Sequence, residues 1–233
     1  MELLLFLLRY PNFSFSKIIN DNYSVKSNGY FKNYNTNITE KVLINNLEFN
    51  SNSEYFNNGL VNNKKLLIKN VNSDARNSEK FKNKNSSSLV PTFQTNYTYP
   101  LQKKTNEFNY TLTPKFTLNL SIPHTKDVRE EDTEINYNNI YDIDRLGLSE
   151  VNEGGISATY GYEYIKSDIS NFNQKIKFGF ANNLRFKENK DLPTNTNIGD
   201  KVSDFVGLVE YNPTENIKLD YNFSLKNNLV DQN

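Results

Sequence analysis

Residues 108–122 read Phe-Asn-Tyr-Thr-Leu-Thr-Pro-Lys-Phe-Thr-Leu-Asn-Leu-Ser-Ile. The even positions are Phe108, Tyr110, Leu112, Pro114, Phe116, Leu118, Leu120 and Ile122; the odd positions are Asn109, Thr111, Thr113, Lys115, Thr117, Asn119 and Ser121. Successive side chains of a strand point to opposite faces, so a period of two gives one apolar and one polar face. A helix would mix the two sets. The same alternation returns at Ile217, Leu219, Tyr221, Phe223 and Leu225, set against Lys218, Asp220, Asn222, Ser224 and Lys226. It returns again at Ile156, Ala158, Tyr160, Tyr162 and Tyr164, and at Ile176, Phe178 and Phe180. Phe205, Val209 and Tyr211 follow it more loosely, because Val206 and Leu208 interrupt the polar side. Weaker strands are expected near 28–35, 40–50, 60–70 and 91–100. Pro114 removes a ladder donor, so a bulge or an edge position is expected there. No amphipathic helix longer than two turns is legible.

The connections alternate as well. They run short near 101–107, long over 123–155, short at 167–173, long over 187–202 and short at 212–215, where Asn212-Pro213-Thr214-Glu215 is a turn sequence. Further upstream, 71–90 is long and polar, and Phe56-Asn57-Asn58-Gly59 is short. Long loops at one end of a sheet and tight turns at the other are the habit of outer-membrane β-barrels. A ten-residue strand tilted by about 40° rises about 25 Å, the height of such a barrel's apolar band. On this reading Phe108, Tyr110, Leu112, Phe116, Leu118, Leu120, Ile217, Leu219, Tyr221, Phe223 and Leu225 face lipid, and Lys115, Thr117, Asn119, Lys218, Asp220 and Asn222 face a wet lumen. Tyr160, Tyr162, Tyr164 and Tyr211 suit aromatic girdles near strand ends.

Composition agrees with a wall that has no central core. Only 36 % of the 233 residues are hydrophobic, yet 13 % are aromatic, which argues against simple disorder. Asn accounts for 41 residues, an excess that carries no functional reading of its own. The 27 basic and 27 acidic residues cancel, so nothing electrostatic marks a nucleic-acid partner. There is no Cys, hence no disulfide frame, thiolate metal site or Cys nucleophile, and the single His124 lacks an adjacent partner for general-base work. No P-loop, dinucleotide fingerprint or zinc motif occurs, and no cofactor is expected. No run of about 18 apolar residues suggests a membrane-crossing helix. Leu3–Leu8 is apolar but short, follows Glu2 rather than a basic region, and makes a poor secretory signal. Asp127–Glu134 reads as a solvated acidic loop, with oxygen ligation of a divalent ion as the functional alternative. Asp142, Asp144 and Arg145 suggest either a fixed loop ion pair or no interaction at all.

Two longer stretches resemble a known family. One is Asn138-Asn139-Ile140-Tyr141-Asp142-Ile143-Asp144-Arg145-Leu146-Gly147, continuing through Glu153-Gly154-Gly155 into Tyr160-Gly161-Tyr162-Glu163-Tyr164. The other is Leu184-Arg185-Phe186-Lys187-Glu188-Asn189-Lys190-Asp191-Leu192-Pro193, then Ser203-Asp204-Phe205-Val206-Gly207, then Leu219-Asp220-Tyr221-Asn222-Phe223. Both are similar to the C-terminal barrel of the lipopolysaccharide-assembly family LptD, also called OstA or Imp. Val90-Pro91-Thr92, Tyr99-Pro100-Leu101 and Leu112-Thr113-Pro114-Lys115 look like its pattern upstream. The resemblance covers most of 28–228 and singles out Asp144, Arg145, Gly147, Gly154, Arg185, Pro193, Asp204 and Gly207.

The resemblance implies transport rather than catalysis: export of lipopolysaccharide into the outer leaflet of the outer membrane, with an LptE-type lipoprotein plug and a periplasmic LptA-type bridge as partners. It also implies a segment of a larger barrel, since the family's jelly-roll domain has no counterpart here and the chain stops just after a strand; the Cys residues that staple some members are missing, so disulfide-dependent maturation is not carried over. The expected fold is therefore all-β: an antiparallel meander of about nine or ten strands over 28–233, forming an open curved sheet that is an incomplete segment of a large transmembrane β-barrel. Residues 1–27 are expected to be a partial strand or irregular. The alternatives are another outer-membrane barrel, a porin or receptor marked by a long constricting loop folded into its lumen, and a secreted Asn-rich β-sandwich or adhesin module with a dry core between two sheets.

Overall fold

A computed structural model describes residues 12–20, 22–33, 37–78, 81, 83–122, 127–169, 173–214 and 216–227. The Leu3–Leu8 stretch and His124 lie outside the described residues. Among the described residues the regular elements are all strands: β1 (Phe13–Asn20), β2 (Tyr23–Asn33), β3 (Thr39–Asn50), β4 (Glu54–Tyr55), β5 (Val61–Arg76), β6 (Ser86–Thr98), β7 (Leu101–Lys104), β8 (Phe108–Ser121), β9 (Ile156–Asp168), β10 (Gln174–Arg185), β11 (Phe205–Thr214) and β12 (Ile217–Leu225). The strand order is β1-β2-β3-β5-β6-β8-β9-β10-β11-β12, with β4 paired to β5 and β7 to β8. The paired strands run antiparallel, and the sheet is open: β1 and β12 are the ends of the path. The sandwich alternative required two facing sheets, and the described residues form one, so that reading is overturned.

Two compact units divide the chain. One holds residues 1–50 and 66–91; the other holds 51–65 and 92–233. In the first, β3 alternates in burial: Glu40, Val42 and Ile44 are buried while Lys41, Leu43 and Leu47 are exposed. Val42, Ile44 and Val71 form a small core, with Tyr30 and Phe81 packed against it. The opposite face of this unit carries Leu43 and Leu47 beside a chain of polar side chains. Ser27 donates to Asn45 (2.7 Å), Asn45 and Asn72 both donate to Asn70 (3.3 and 2.6 Å), and Ser87 donates to Asn72 (2.7 Å).

In the second unit the register ties β8 to β12 across one face: Leu112 stands opposite Tyr164, Tyr162 opposite Phe180, Phe180 opposite Gly207, and Gly207 opposite Phe223. This apolar face is the exposed one. Leu112, Phe116 and Leu120 are exposed, whereas Thr117 and Asn119 on the other face are buried. The usual arrangement of a globular sheet, apolar side in and polar side out, is inverted.

Pro114 does not make the expected bulge or edge. Pairing of β8 with β9 runs through Pro114 opposite Tyr162 without a shift. On its other side β6 ends at Thr98 and β7 begins at Leu101, and the Pro114 carbonyl accepts the Tyr99 N–H (3.1 Å). The N and C=O of one residue in an antiparallel strand point the same way, so the missing donor falls at the break between two partner strands. The tyrosines also depart from the girdle expectation. Tyr162 sits at mid-strand with its ring 5.9 and 6.2 Å from those of Phe178 and Phe180, and only Tyr211 lies near a strand end.

Candidate functional site: the loop-covered polar face

The polar face of β8–β11 is covered by the chain's own long loops. Val128, Ile135, Tyr137, Ile140, Leu146 and Val151 of the β8–β9 connection and Leu192 and Ile198 of the β10–β11 connection pack with Ala181, Val206 and Leu208 into one core. Val206 and Leu208 interrupt the polar alternation because they are the sheet's share of this core, 2 % and 1 % exposed. The two connections also join each other: Val128 N–H donates to Asp191 O (2.7 Å), and Asn195 donates to Thr133 O (2.8 Å). Close approach requires glycine beneath the loop. A Cβ on Gly179 would lie 2.4 Å from the Tyr137 ring.

The loop is anchored by a buried cluster of three charges. Arg145 donates to both oxygens of Glu153, and also to Ser157 Oγ (3.0 Å), Thr159 Oγ1 (2.9 Å) and Ile140 O (3.2 Å). Arg185, at the end of β10, donates to the same Glu153 carboxylate and to Gly154 O (2.5 Å). All three side chains are buried. Burial alone would push the Glu153 carboxyl up; the Arg145 and then the Arg185 guanidinium outweigh it and hold the group below its ordinary value.

The motif residues explain how this cluster is built. Asp144-Arg145-Leu146-Gly147 is a tight turn closed by Gly147 N–H to Asp144 O (3.2 Å), with Gly147 at φ 65°. Gly154 and Gly155, at φ 45° and 84°, turn the chain from Glu153 into β9. Asn152 fixes this entry, donating to Thr92 Oγ1 (2.5 Å) and accepting the Glu153 N–H (2.8 Å). Asp204 accepts from Asn197 Nδ2 (2.8 Å) and Asn227 N–H (3.3 Å), Pro193 is buried beside Leu192, and the Phe223 ring lies over Gly207, where a Cβ would meet it at 2.1 Å.

Towards the short-turn end a row of alternating charges crosses five strands. Lys115 pairs with Glu163 (3.0 Å), Lys177 bridges Glu163 and Glu210 (3.6 Å each), and Lys218 bridges Glu210 (3.8 Å) and Asp220 (3.0 Å). The Lys115 ammonium also lies 5.6 and 5.7 Å from the ring centres of Tyr137 and Tyr141. Lys115, Thr117 and Asn119 thus lie under the loops, while Lys218, Asp220 and Asn222 share the same face and stay exposed.

Several expectations change at residue level. Of the two alternatives left open for Asp142, Asp144 and Arg145, a loop ion pair of Arg145 with either aspartate is not the one seen: Arg145 turns to Glu153, a residue quoted above only as part of the resemblance. Glu163, Lys177 and Glu210 fall between the apolar positions quoted from the sequence and were not singled out there; the row they form depends on cross-strand register. No group of three or more potential ligands exists among the described residues, Asp127 pairs with Arg129, and Asp132 accepts from Asn195 (3.2 Å).

An open antiparallel meander that exposes its apolar face and covers its polar face with its own loops has the two-sided character of a membrane-facing β-wall. The comparisons give the family. The family model described as LPS transport system D, LptD, matches residues 45–231, more than half of the chain, and the chain belongs to that family. The match spans the Arg145–Glu153–Arg185 cluster and the whole charge row. No curated protein matches the chain significantly. The family is a component of lipopolysaccharide transport and not an enzyme family.

Proposed function

We propose that this chain forms part of an outer-membrane β-barrel wall through which lipopolysaccharide is assembled into the outer leaflet, and that its bare apolar face lies against the bilayer. The observation that carries this reading is the inverted amphipathicity of β8–β12 in a chain of the LptD family: Phe116, Leu120, Tyr160, Leu219 and Tyr221 are exposed while Thr117, Asn119 and Thr159 are buried. Exposed apolar area on this scale is unfavourable in water and favourable against hydrocarbon. The candidate lipid-facing residues are those named from the sequence, and the water side is the face of the charge row. In this reading the localisation is the outer membrane, and the family's lipoprotein plug and periplasmic bridge are the partners.

One observation favours the porin-like alternative. The long loop it called for, folded over the polar face, is present over 127–155. The family match outweighs it, because a folded-in loop fits either kind of barrel. The experiment is photo-crosslinking in cells of the native host, with a photoreactive residue at Lys218 or Asn222 on the water side. The reading expects lipopolysaccharide adducts there during active synthesis of the lipid. Absence of such adducts, with crosslinking to other species at the same positions, contradicts it.

A further inference from the structure

Among the described residues, charge on the exposed face of β7–β12 is confined to one end. A single cross-strand row crosses that face near the short turns: Lys103 stands opposite Tyr110, Tyr110 opposite Lys166, Lys166 opposite Ile176, Ile176 opposite Tyr211 and Tyr211 opposite Leu219. Directly opposed residues of an antiparallel pair share a face, so both lysines belong to the apolar side. Towards the long connections the same face ends on Leu120, Ile156, Leu184, Phe205 and Leu225, all uncharged. Lys166 also leans outward. Register sets it beside Tyr110, yet its ammonium lies 3.7 Å from the centre of the Phe108 ring and 6.0 Å from that of Tyr110. Phe108 is the first residue of β8, so the stem runs along apolar surface and the charge reaches the short-turn rim. A lysine that bends its head to the edge of an apolar band is what a hydrocarbon boundary at that level requires.

The neighbouring charges leave this corner positive. Asp168, opposite Phe108, is taken by Lys175 (3.2 Å), and the exposed Glu107 lies in the β7–β8 turn. Lys104 stands opposite Asn109 on the other face. Lysines 103, 166 and 175 thus outnumber the two carboxylates, and among the described residues neither Lys103 nor Lys166 forms an ion pair. We propose that Lys103 and Lys166 form a site for the phosphate of an anionic phospholipid, in the leaflet that meets the short turns. Their backbones are two strand spacings apart, about 10 Å, with Tyr110 between them, so both ammonium groups reach one phosphate from either side. Phe108, Tyr110 and Ile176 take the first part of the acyl chains. A net positive corner favours a headgroup with negative charge alone over a zwitterionic one, whose own ammonium would meet the lysines. The short turns and the long connections lie at opposite membrane surfaces, so this lipid is distinct from the lipopolysaccharide of the other leaflet. The inference rests on the membrane reading of the exposed face, and its test separates the two.

The chain has no Trp, so Tyr110→Trp places a single fluorophore between the lysines, and Leu120→Trp places one on the same face towards the long connections. Each variant of the full chain is placed in phosphatidylcholine vesicles doped with chain-brominated phosphatidylglycerol or chain-brominated phosphatidylcholine, which quench on contact. At position 110 the anionic lipid is expected to quench about fivefold more effectively, mole for mole. At position 120 the two lipids are expected to quench equally. Adding Lys103→Gln and Lys166→Gln to Tyr110→Trp is expected to abolish the preference while both lipids still quench. Equal quenching at 110, no quenching there while 120 is quenched, the same preference at both positions, or a preference that survives the two Gln changes each overturn the phosphate site and leave the membrane reading standing. No quenching at either position by either lipid overturns the membrane reading itself.

Discussion

Glu153 is the residue on which the covering of the polar face depends. Its carboxylate receives Arg145 from the loop and Arg185 from β10, and both guanidinium groups are buried. Removing one partner of a buried cluster leaves uncompensated charge, at a cost of about 3–5 kcal/mol. Glu153→Gln is expected to release the loop, read as lost hydrogen-exchange protection over 128–155, while β12 keeps its protection. The pH dependence has a definite sign. The unfolded carboxyl titrates near about 4.3, and the folded one is held lower. Its contribution is therefore complete above that unfolded value and is lost as pH falls through the folded value. Protection of the loop is expected to decline below about pH 4 in the native protein, and this acid step is expected to vanish in Glu153→Gln. Gly179 makes a second point at this scale. Gly179→Ala drives a methyl into the Tyr137 ring and is expected to cost about 1–3 kcal/mol in urea unfolding from detergent micelles. A double variant with Tyr137→Ser is expected to lose less than the sum of the two changes.

At the scale of elements, alternation was readable because it is a local property, whereas the long connection expected over 71–90 is shorter, since β5 continues to Arg76 and β6 begins at Ser86. The period of two at 108–122 and 217–225 names the strands and their faces, and β8 and β12 lie where it puts them. Val206 and Leu208 were legible only as interruptions. Their reason is tertiary: two connections separated by the whole of β9 and β10 fold back onto β11, and no local pattern encodes that return. Pro114 is similar, since the break that accommodates it belongs to the chain at Tyr99-Pro100. The Arg145–Glu153–Arg185 cluster was half legible. The family-like motifs marked both arginines, but the shared carboxylate could not be told from many other acidic residues without the turn at Gly154-Gly155. Leu208→Asn is expected to cost about 2–4 kcal/mol by burying an unsatisfied amide in this core. The exposed cross-strand neighbour Asn222→Leu is expected to change stability by less than about 0.5 kcal/mol. Chemical denaturation of the two variants side by side checks the pair.

For the molecule as a whole, the central claim is that the exposed apolar face meets hydrocarbon and the opposite face meets water. Strand order follows the sequence, each long strand pairs with its neighbours in the chain, and among the described residues β12 is paired on one side only. β12 is therefore the place where the two environments are least altered by covering loops, with both sets of its side chains accessible. Spin labels introduced one at a time over 217–225 in bilayer-reconstituted protein report this directly, through relative accessibility to oxygen and to a water-soluble nickel chelate. The claim predicts a two-residue period: Ile217, Leu219, Tyr221, Phe223 and Leu225 favour oxygen, and Lys218, Asp220, Asn222 and Ser224 favour the chelate. A flat profile, or one in which the apolar set favours the chelate, contradicts it.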